Sequence, residues 1–146
     1  MIKLTKNKQK QLLLGVSLLS TGGGGSFSAA KKILTKIVHP PRLAPLQELK
    51  SQDLTVTLLG VGDKDVCDPI TCSANSLKIF QKLFKKKVKA IIPIEIGPVS
   101  TLTAIFFASK LNLPLVDADI VGFRASPEVF LETITLANLS REPIVM

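Results

Sequence analysis

The chain has 146 residues and a mass of 15.7 kDa, with 46% hydrophobic residues and a formal net charge of +8. This length predicts one domain spanning residues 1–146, and the mean hydropathy of +0.35 excludes a disordered chain. The lysines cluster in the first ten residues and at 82–89 with only three arginines in the chain, which favours solvated helix ends over a nucleic-acid interface.

The first predicted element is an amphipathic helix within residues 1–20. Leu12, Val16 and Leu19 recur at four- and three-residue spacing, and Thr5 or Asn7 can serve as the N-cap. A basic start followed by an apolar run and small residues also imitates a secretory signal peptide, which stays the alternative. No apolar run approaches the roughly 20 residues of a membrane span, so we expect no membrane contact.

A glycine-rich segment follows this helix. Its members are Thr21, Gly22, Gly23, Gly24, Gly25 and Ser26. Glycines allow positive φ and let backbone N–H groups converge on an anion, and the helix predicted at 27–38 adds its positive N-terminal end. The Lys-Ser/Thr of a Walker loop is missing and no strand precedes the segment, so no nucleotide site is assigned. We interpret it as a ligand-binding loop, with a plain helix-to-helix turn as the alternative.

The remaining pattern alternates helices and strands. His39-Pro40-Pro41 ends the second helix, and we predict a connection at 42–52 after it. A strand at 54–61, a loop at 63–71 and a helix at 76–87 follow. The last predicted elements are a strand at 88–96, a helix at 101–111, a strand at 113–118 and a helix from Pro127 to about 137. Such alternation predicts an α/β fold, a layered domain with a parallel sheet covered by helices. The helix at 101–111 is apolar nearly all round and is expected to be buried between the sheet and another layer.

Charged residues concentrate where the predicted strands end. Glu95 ends one strand, Asp117 and Asp119 end the next, and Arg124 and Glu128 lie in the loop beyond. Ligands of parallel α/β sheets bind at the carboxyl ends of strands, so this edge is the predicted small-molecule site. A structural Glu95–Arg124 ion pair and a helix-capping role for Asp119 are the alternatives.

The cysteines and the lone histidine indicate no metal centre of the zinc type. Cys67 and Cys72 form a single C-x4-C pair, and His39 is the only histidine. We interpret the cysteines as free thiols of a cytoplasmic protein. Asp63, Asp65 and Asp68 lack the Gly and terminal Glu of a calcium loop and are interpreted as solvated.

Three ordered motifs resemble the DUF917 family, also called the S-methyl thiohydantoin desulfurase-like family. The motifs are TGGGGS at 21–26, PIEIG at 93–97 and LPLVDAD with GFRASPE between 113 and 128. The resemblance covers the family's N-terminal domain, and the β-rich second domain usual in the family is absent from this chain. Ser20 stands where the family has Gly. Pro98 replaces the second Gly of the turn and removes a backbone donor that a ligand could use, and Phe123 is inserted before Arg124 and is expected to re-aim it.

The resemblance implies a hydrolase-like, hydantoinase-related chemistry on a cyclic imide or thiohydantoin, in which water adds at C2 and methanethiol leaves. Glu95 or Asp119 would be the base, and the glycine-loop amides or Arg124 would stabilise the developing charge. Glu128 would orient Arg124. Gly97 and Asp117 would line the ligand site, and a divalent metal held by the three strand-end carboxylates is an open alternative.

The same resemblance leaves two functions open. The first is a small-molecule-binding domain that is half of a split enzyme, with a separate chain or a homo-oligomer completing it. The second is a non-catalytic remnant or protein-interaction module of the same fold. Both imply an exposed apolar face on the helix at 101–111 and on the PIVM tail at 143–146.

Overall fold

The computed structural model describes residues 2–58 and 69–120. Its elements in chain order are β1 Ile2–Lys3, α1 Lys6–Leu19, α2 Phe27–Lys36, β2 Arg42–Ala44, a 3-10 turn Leu46–Glu48, β3 Thr55–Val56, α3 Pro69–Phe84, β4 Ala90–Ile91, α4 Pro98–Leu111 and β5 Leu115–Val116. The predictions for Asp63, Asp65, Cys67, Asp68, Phe123, Arg124, Glu128, the helix from Pro127 and the PIVM tail fall outside the described residues, and nothing is described of the Cys72 side chain.

The strands form one mostly parallel sheet in the order β1-β2-β5-β4-β3. β1 pairs with β2 in antiparallel fashion, and the other three pairings are parallel. Helix α3 connects β3 to β4, and α4 connects β4 to β5, so two of the three parallel pairs are joined by a helical crossover. The predicted α/β class is confirmed.

Helix α4 is the centre of the hydrophobic core. Leu102, Ile105 and Phe107 are fully buried, and Phe106 and Phe107 form an edge-to-face pair with ring centroids 5.2 Å apart. The helix packs against β4 and β5 on one side and against α1 and α2 on the other. Its predicted burial is confirmed, but the expected exposed apolar face is not found there, because α1 and α2 cover it within the same chain.

The strands are shorter than predicted because proline interrupts their ladders. The strand predicted at 88–96 is paired only at Ala90–Ile91, and Pro93 has no N–H to continue the ladder. Glu95 therefore lies in a bend after the strand instead of ending it. The strand predicted at 113–118 reduces to Leu115–Val116 after Pro114, although Asp117 N–H still donates to Ala44 O at 2.8 Å.

Two strands were missed in the sequence. The connection predicted at 42–52 contains β2, whose Ala44 is buried and pairs with Val116 of β5. β1 precedes the first helix and pairs with β2 through Ile2 and Leu43. A strand of two or three residues is too short for an alternating pattern, so its identity comes from its neighbours in the sheet.

The helix boundaries also shift. α1 begins at Lys6 with Thr5 as its N-cap residue, as predicted, but the buried face runs through Gln9, Leu13 and Val16 while Leu19 is half exposed. α3 begins at Pro69, so 69–71 belongs to the helix and not to the predicted loop, consistent with proline's preference for the first turn. No helix in the described ranges is both long and apolar enough to cross a membrane.

Lys6 makes a tertiary contact although the residue is exposed. Its ammonium Nζ donates to the carbonyl oxygens of Leu34 at 2.9 Å and Ile37 at 2.5 Å, at the C-terminal end of α2. The last carbonyls of a helix lack intrahelical donors and carry partial negative charge, so a cation there is favourable. Lys6 thus ties the start of α1 to the end of α2.

Candidate functional site

The carboxyl edge of the sheet brings two of the predicted carboxylate segments side by side. Glu95 follows β4, and Asp117 and Asp119 follow β5, which is the neighbouring parallel strand. Ile120 N–H donates to Ile94 O at 3.2 Å, so the two segments stay adjacent beyond the strand pairing. Glu95 directly follows Ile94, and Asp119 directly precedes Ile120. The two carboxylate residues therefore lie on adjacent segments.

The glycine-rich segment forms the turn between α1 and α2. Thr21, Gly22, Gly24 and Gly25 all have positive φ, which a residue with a Cβ adopts only at a cost in strain. Ser26 then serves as the N-cap of α2, its Oγ accepting the Ala29 N–H at 3.2 Å. The other N–H groups of the first helical turn have no intrahelical partner, so this end of α2 presents hydrogen-bond donors.

This turn lies directly against the segment that follows β4. Gly24 O accepts the N–H of Val99 at 2.8 Å. A Cβ built on Gly24 would lie 2.5 Å from Gly97 Cα and 3.4 Å from Glu95 Oε1, and one on Gly97 would lie 2.5 Å from Gly24 Cα. The tertiary structure therefore places the glycine turn, the Gly97 turn and the Glu95 carboxylate at one location, the N-terminus of α4.

The Glu95 side chain is held in position by the first turn of α4. Its Oε1 accepts a hydrogen bond from Ser100 Oγ at 2.6 Å, and the residue is half buried. The Gly97 N–H donates to Thr101 Oγ1 at 3.3 Å, within the same helical turn. The positive end of the α4 dipole favours a carboxylate here. Sequence reasoning missed Ser100 and Thr101, although hydroxyl residues three and four positions after Gly97 at a helix start were the available signal.

Pro98 has a structural role besides removing a backbone donor that a ligand could use. In the structure Pro98 is the first residue of α4 and Gly97 is its N-cap. An N–H at that position has no intrahelical partner and proline is common there, so the substitution starts the helix in this chain.

The other predicted site residues are placed less closely. Asp117 is exposed and its backbone is paired with Ala44 of β2, whereas Asp119 is half buried next to Ile120. Within the described ranges, no three His, Cys, Asp or Glu side chains come together as metal ligands would. Glu95, Asp117 and Asp119 therefore do not form a three-carboxylate cation site in this structure.

The arrangement has the elements of a site for a small polar ring. The first turn of α2 supplies backbone donors, which bind carbonyl oxygens or anions, whereas in α4 the N–H groups of Val99 and Thr101 already donate to Gly24 O and Gly97 O. Glu95 supplies a carboxylate that accepts a hydrogen bond and can take a proton from a ligand N–H or from water. The glycines allow the turn to lie closely against Gly97 and Val99, because a Cβ on Gly24 or Gly25 would clash there.

Comparison with known proteins identifies a family and a fold. A family model described as S-Me-THD-like, N-terminal domain, matches residues 7–146. A solved protein from Chromobacterium violaceum superposes with a TM-score of 0.69 at 21% sequence identity, over 87% of this chain and 37% of that chain. This chain thus spans well under half the length of that protein. No curated protein matches the sequence.

Proposed function

Because this chain belongs to the S-Me-THD-like family, through its N-terminal domain, we propose that it binds a small cyclic imide or thiohydantoin at the carboxyl edge of its sheet. The domain extends over residues 1–146 in this proposal, and we expect it in the cytoplasm. Its role is to hold the ligand for hydrolase-type chemistry of the S-methyl thiohydantoin desulfurase kind.

One observation carries the proposal. Gly24 contacts Gly97 at the N-terminus of α4, and a Cβ on Gly24 would lie 3.4 Å from Glu95 Oε1. The glycine turn therefore lies directly beside the Glu95 carboxylate. A cyclic imide presents two carbonyl-type acceptors flanking an N–H donor. Backbone amides at a helix start match the acceptors, and a carboxylate matches the donor, so the paired chemistry favours this ligand class over a simple anion.

The proposed roles follow from these positions. Glu95 accepts the ring N–H or activates the attacking water, with Ser100 fixing its orientation. The amides of the turn at 21–26 stabilise the negative charge that develops on a carbonyl oxygen attached to the ring. Asp119, on the neighbouring segment, is the second candidate base. Arg124 and Glu128 lie outside the described residues and keep their proposed roles as charge-stabilising donor and its orienting partner.

Full turnover is proposed to need more than this domain. The chain covers 37% of the solved protein it superposes on, and the family model is that of an N-terminal domain. We propose that a further domain completes the active site. A ligand bound at the carboxyl edge would then lie between the two parts, where many enzymes bind small molecules.

Thermal unfolding with a panel of hydantoins, thiohydantoins, 5-oxoproline and divalent metals tests the proposal. A compound at about 100 times its dissociation constant stabilises the fold by about 2.7 kcal/mol, a shift of several degrees for this size. Glu95→Gln keeps an oxygen for Ser100 but removes the charge, and it should reduce the shift by at least about half. The measurement is the difference in midpoint with and without ligand for each variant.

Asp53→Asn is the matched control. It also removes one carboxylate charge, but Asp53 lies before β3, and its Oδ2 accepts the Lys50 N–H in a local turn. Its ligand-induced shift should equal that of the unmodified protein. An equal shift in Glu95→Gln and Asp53→Asn would reject Glu95 as a ligand-binding group.

The alternative is a protein-interaction module, and exposed apolar side chains favour it. Leu14 and Leu18 on α1 are 62% and 79% exposed, one helical turn apart. Leu83 on α3 is also 62% exposed. A cooperatively unfolding sample with no shift for any compound of the panel would favour this function over ligand binding.

A further inference from the structure

A second concave site lies at the opposite, amino-terminal edge of the sheet. The cavity has a volume of about 470 Å³, within the range of small-molecule sites. It lies where β1, the start of β2, the C-terminal end of α4 and the segment before β5 meet. Its lining consists of Lys3, His39, Pro40, Pro41, Arg42, Ala108, Ser109, Asn112, Leu113 and Pro114.

All the ionisable side chains in this described lining are basic. Lys3 comes from β1, His39 from the segment after α2, and Arg42 from β2. His39 and Arg42 lie on one continuous stretch that leads into β2, and the sheet brings Lys3 next to it, since Lys3 and Arg42 are register partners in the β1–β2 pair. Arg42 already pairs through Nη1 with Glu48 Oε2, outside the lining. Arg42 therefore already binds one carboxylate in this structure, and its guanidinium has further N–H donors for a second one.

The C-terminal end of α4, whose dipole is unfavourable for an anion, has local donors for its last carbonyls. Asn112 adopts the left-handed conformation of a C-cap, and its N–H donates towards the last carbonyls of the helix. The Leu113 N–H donates to Ala108 O at 2.9 Å. Ser109 Oγ accepts the His39 N–H at 3.2 Å, which fixes the histidine segment against the helix.

The rest of the lining is apolar and suits a carbon skeleton. Leu113, Pro40 and Pro114, which are at least partly exposed, provide this part of the surface. A free inorganic anion would leave it in contact with water, whereas an organic acid would cover it while its charged end meets the basic side chains. Burial of apolar area and charge pairing then act together.

We propose that this cavity binds a small organic carboxylate with a compact apolar body. The site is separate from the carboxyl edge, because α4 runs from one edge to the other and its 14 residues span about 20 Å. It is independent of the cyclic-imide proposal and uses none of its residues.

NMR titration of the full ¹⁵N-labelled chain with cyclohexanecarboxylate tests the site. Saturable amide shifts are expected around Lys3, His39, Asn112 and Leu113, with none at 21–26. The Lys3→Gln/His39→Gln double variant should bind at least about ten-fold more weakly, since it removes two of the three basic groups. The control Lys31→Gln/Lys32→Gln changes two exposed lysines of α2 outside the lining and should bind as the unmodified chain does.

Two further ligands separate the charge from the skeleton. Cyclohexanecarboxamide has the same body without the charge and should bind at least ten-fold more weakly. Inorganic phosphate has the charge without the body and should also bind more weakly than the carboxylate. Four outcomes would each overturn the proposal. They are equal binding of the carboxamide, equal binding of phosphate, unchanged affinity in the Lys3/His39 variant, and no saturable shift up to 20 mM (about the weakest useful affinity).

Discussion

Gly24 and Gly97 are required by a backbone contact that no larger residue tolerates. A Cβ on either would come within 2.5 Å of the other's Cα, and Gly24 also has φ +66. Neither neighbour can move aside as a flexible side chain would, since both contacting atoms belong to the main chain. The glycine pair therefore determines how closely the turn between α1 and α2 approaches Glu95.

Gly24→Ala and Gly97→Ala should each lower the free energy of unfolding by about 2 kcal/mol or more, from overpacking and, at Gly24, backbone strain. Urea denaturation measures this as a lower midpoint at unchanged slope. Gly15 lies within α1 with no atom near its missing Cβ, so Gly15→Ala should raise stability by about 0.5–1 kcal/mol. A destabilised Gly15→Ala or a neutral Gly24→Ala would contradict this account of the turn.

At the scale of the element, the two N-terminal helices begin in different ways. Ser26 caps α2 through its side chain, whereas Thr5 of α1 makes no side-chain cap bond. α1 is instead fixed from outside, by Lys6 binding the end of α2. The stability of α2 thus depends on its own cap, and that of α1 depends on its contact with α2.

Ser26→Ala should cost about 1 kcal/mol, because one N–H of α2 loses its acceptor. Thr5→Ala should change stability by less than about 0.5 kcal/mol, since no capping bond is lost. Thermal unfolding of both variants beside Ser26→Asp checks the comparison, and the aspartate should retain most of the stability. Equal costs for Ser26→Ala and Thr5→Ala would show that the cap is not the cause.

At the scale of the whole molecule, α4 is shared between the sheet and the α1–α2 layer. Its apolar side chains are buried on both sides, so one helix holds the two layers together. Its N-terminal end forms the carboxyl-edge site, and its C-terminal end lines the basic cavity. The two proposed sites therefore lie at opposite ends of the same buried helix.

Phe107→Ala should destabilise the chain by about 3–5 kcal/mol, because the side chain is fully buried and leaves a cavity between the layers. Leu18→Ala removes a side chain that is 79% exposed and should change stability by at most about 0.5 kcal/mol. Denaturant unfolding of both variants measures the two losses in the free energy of unfolding and their ratio. A large loss in Leu18→Ala would mean that a partner copy covers this face in solution.

The sequence by itself determined the α/β class, α1, α2 and α4, and the burial of α4. These features follow from local periodicity and from residue types at helix starts, which act over a few residues. The tertiary structure decided β1 and β2, the length of β4 and the position of Glu95 against Ser100 and Gly24. Those depend on contacts between residues far apart in the chain, and on Pro93 ending a ladder, so no local pattern could encode them. The basic cavity has the same origin, because Lys3 joins His39 and Arg42 only when β1 pairs with β2.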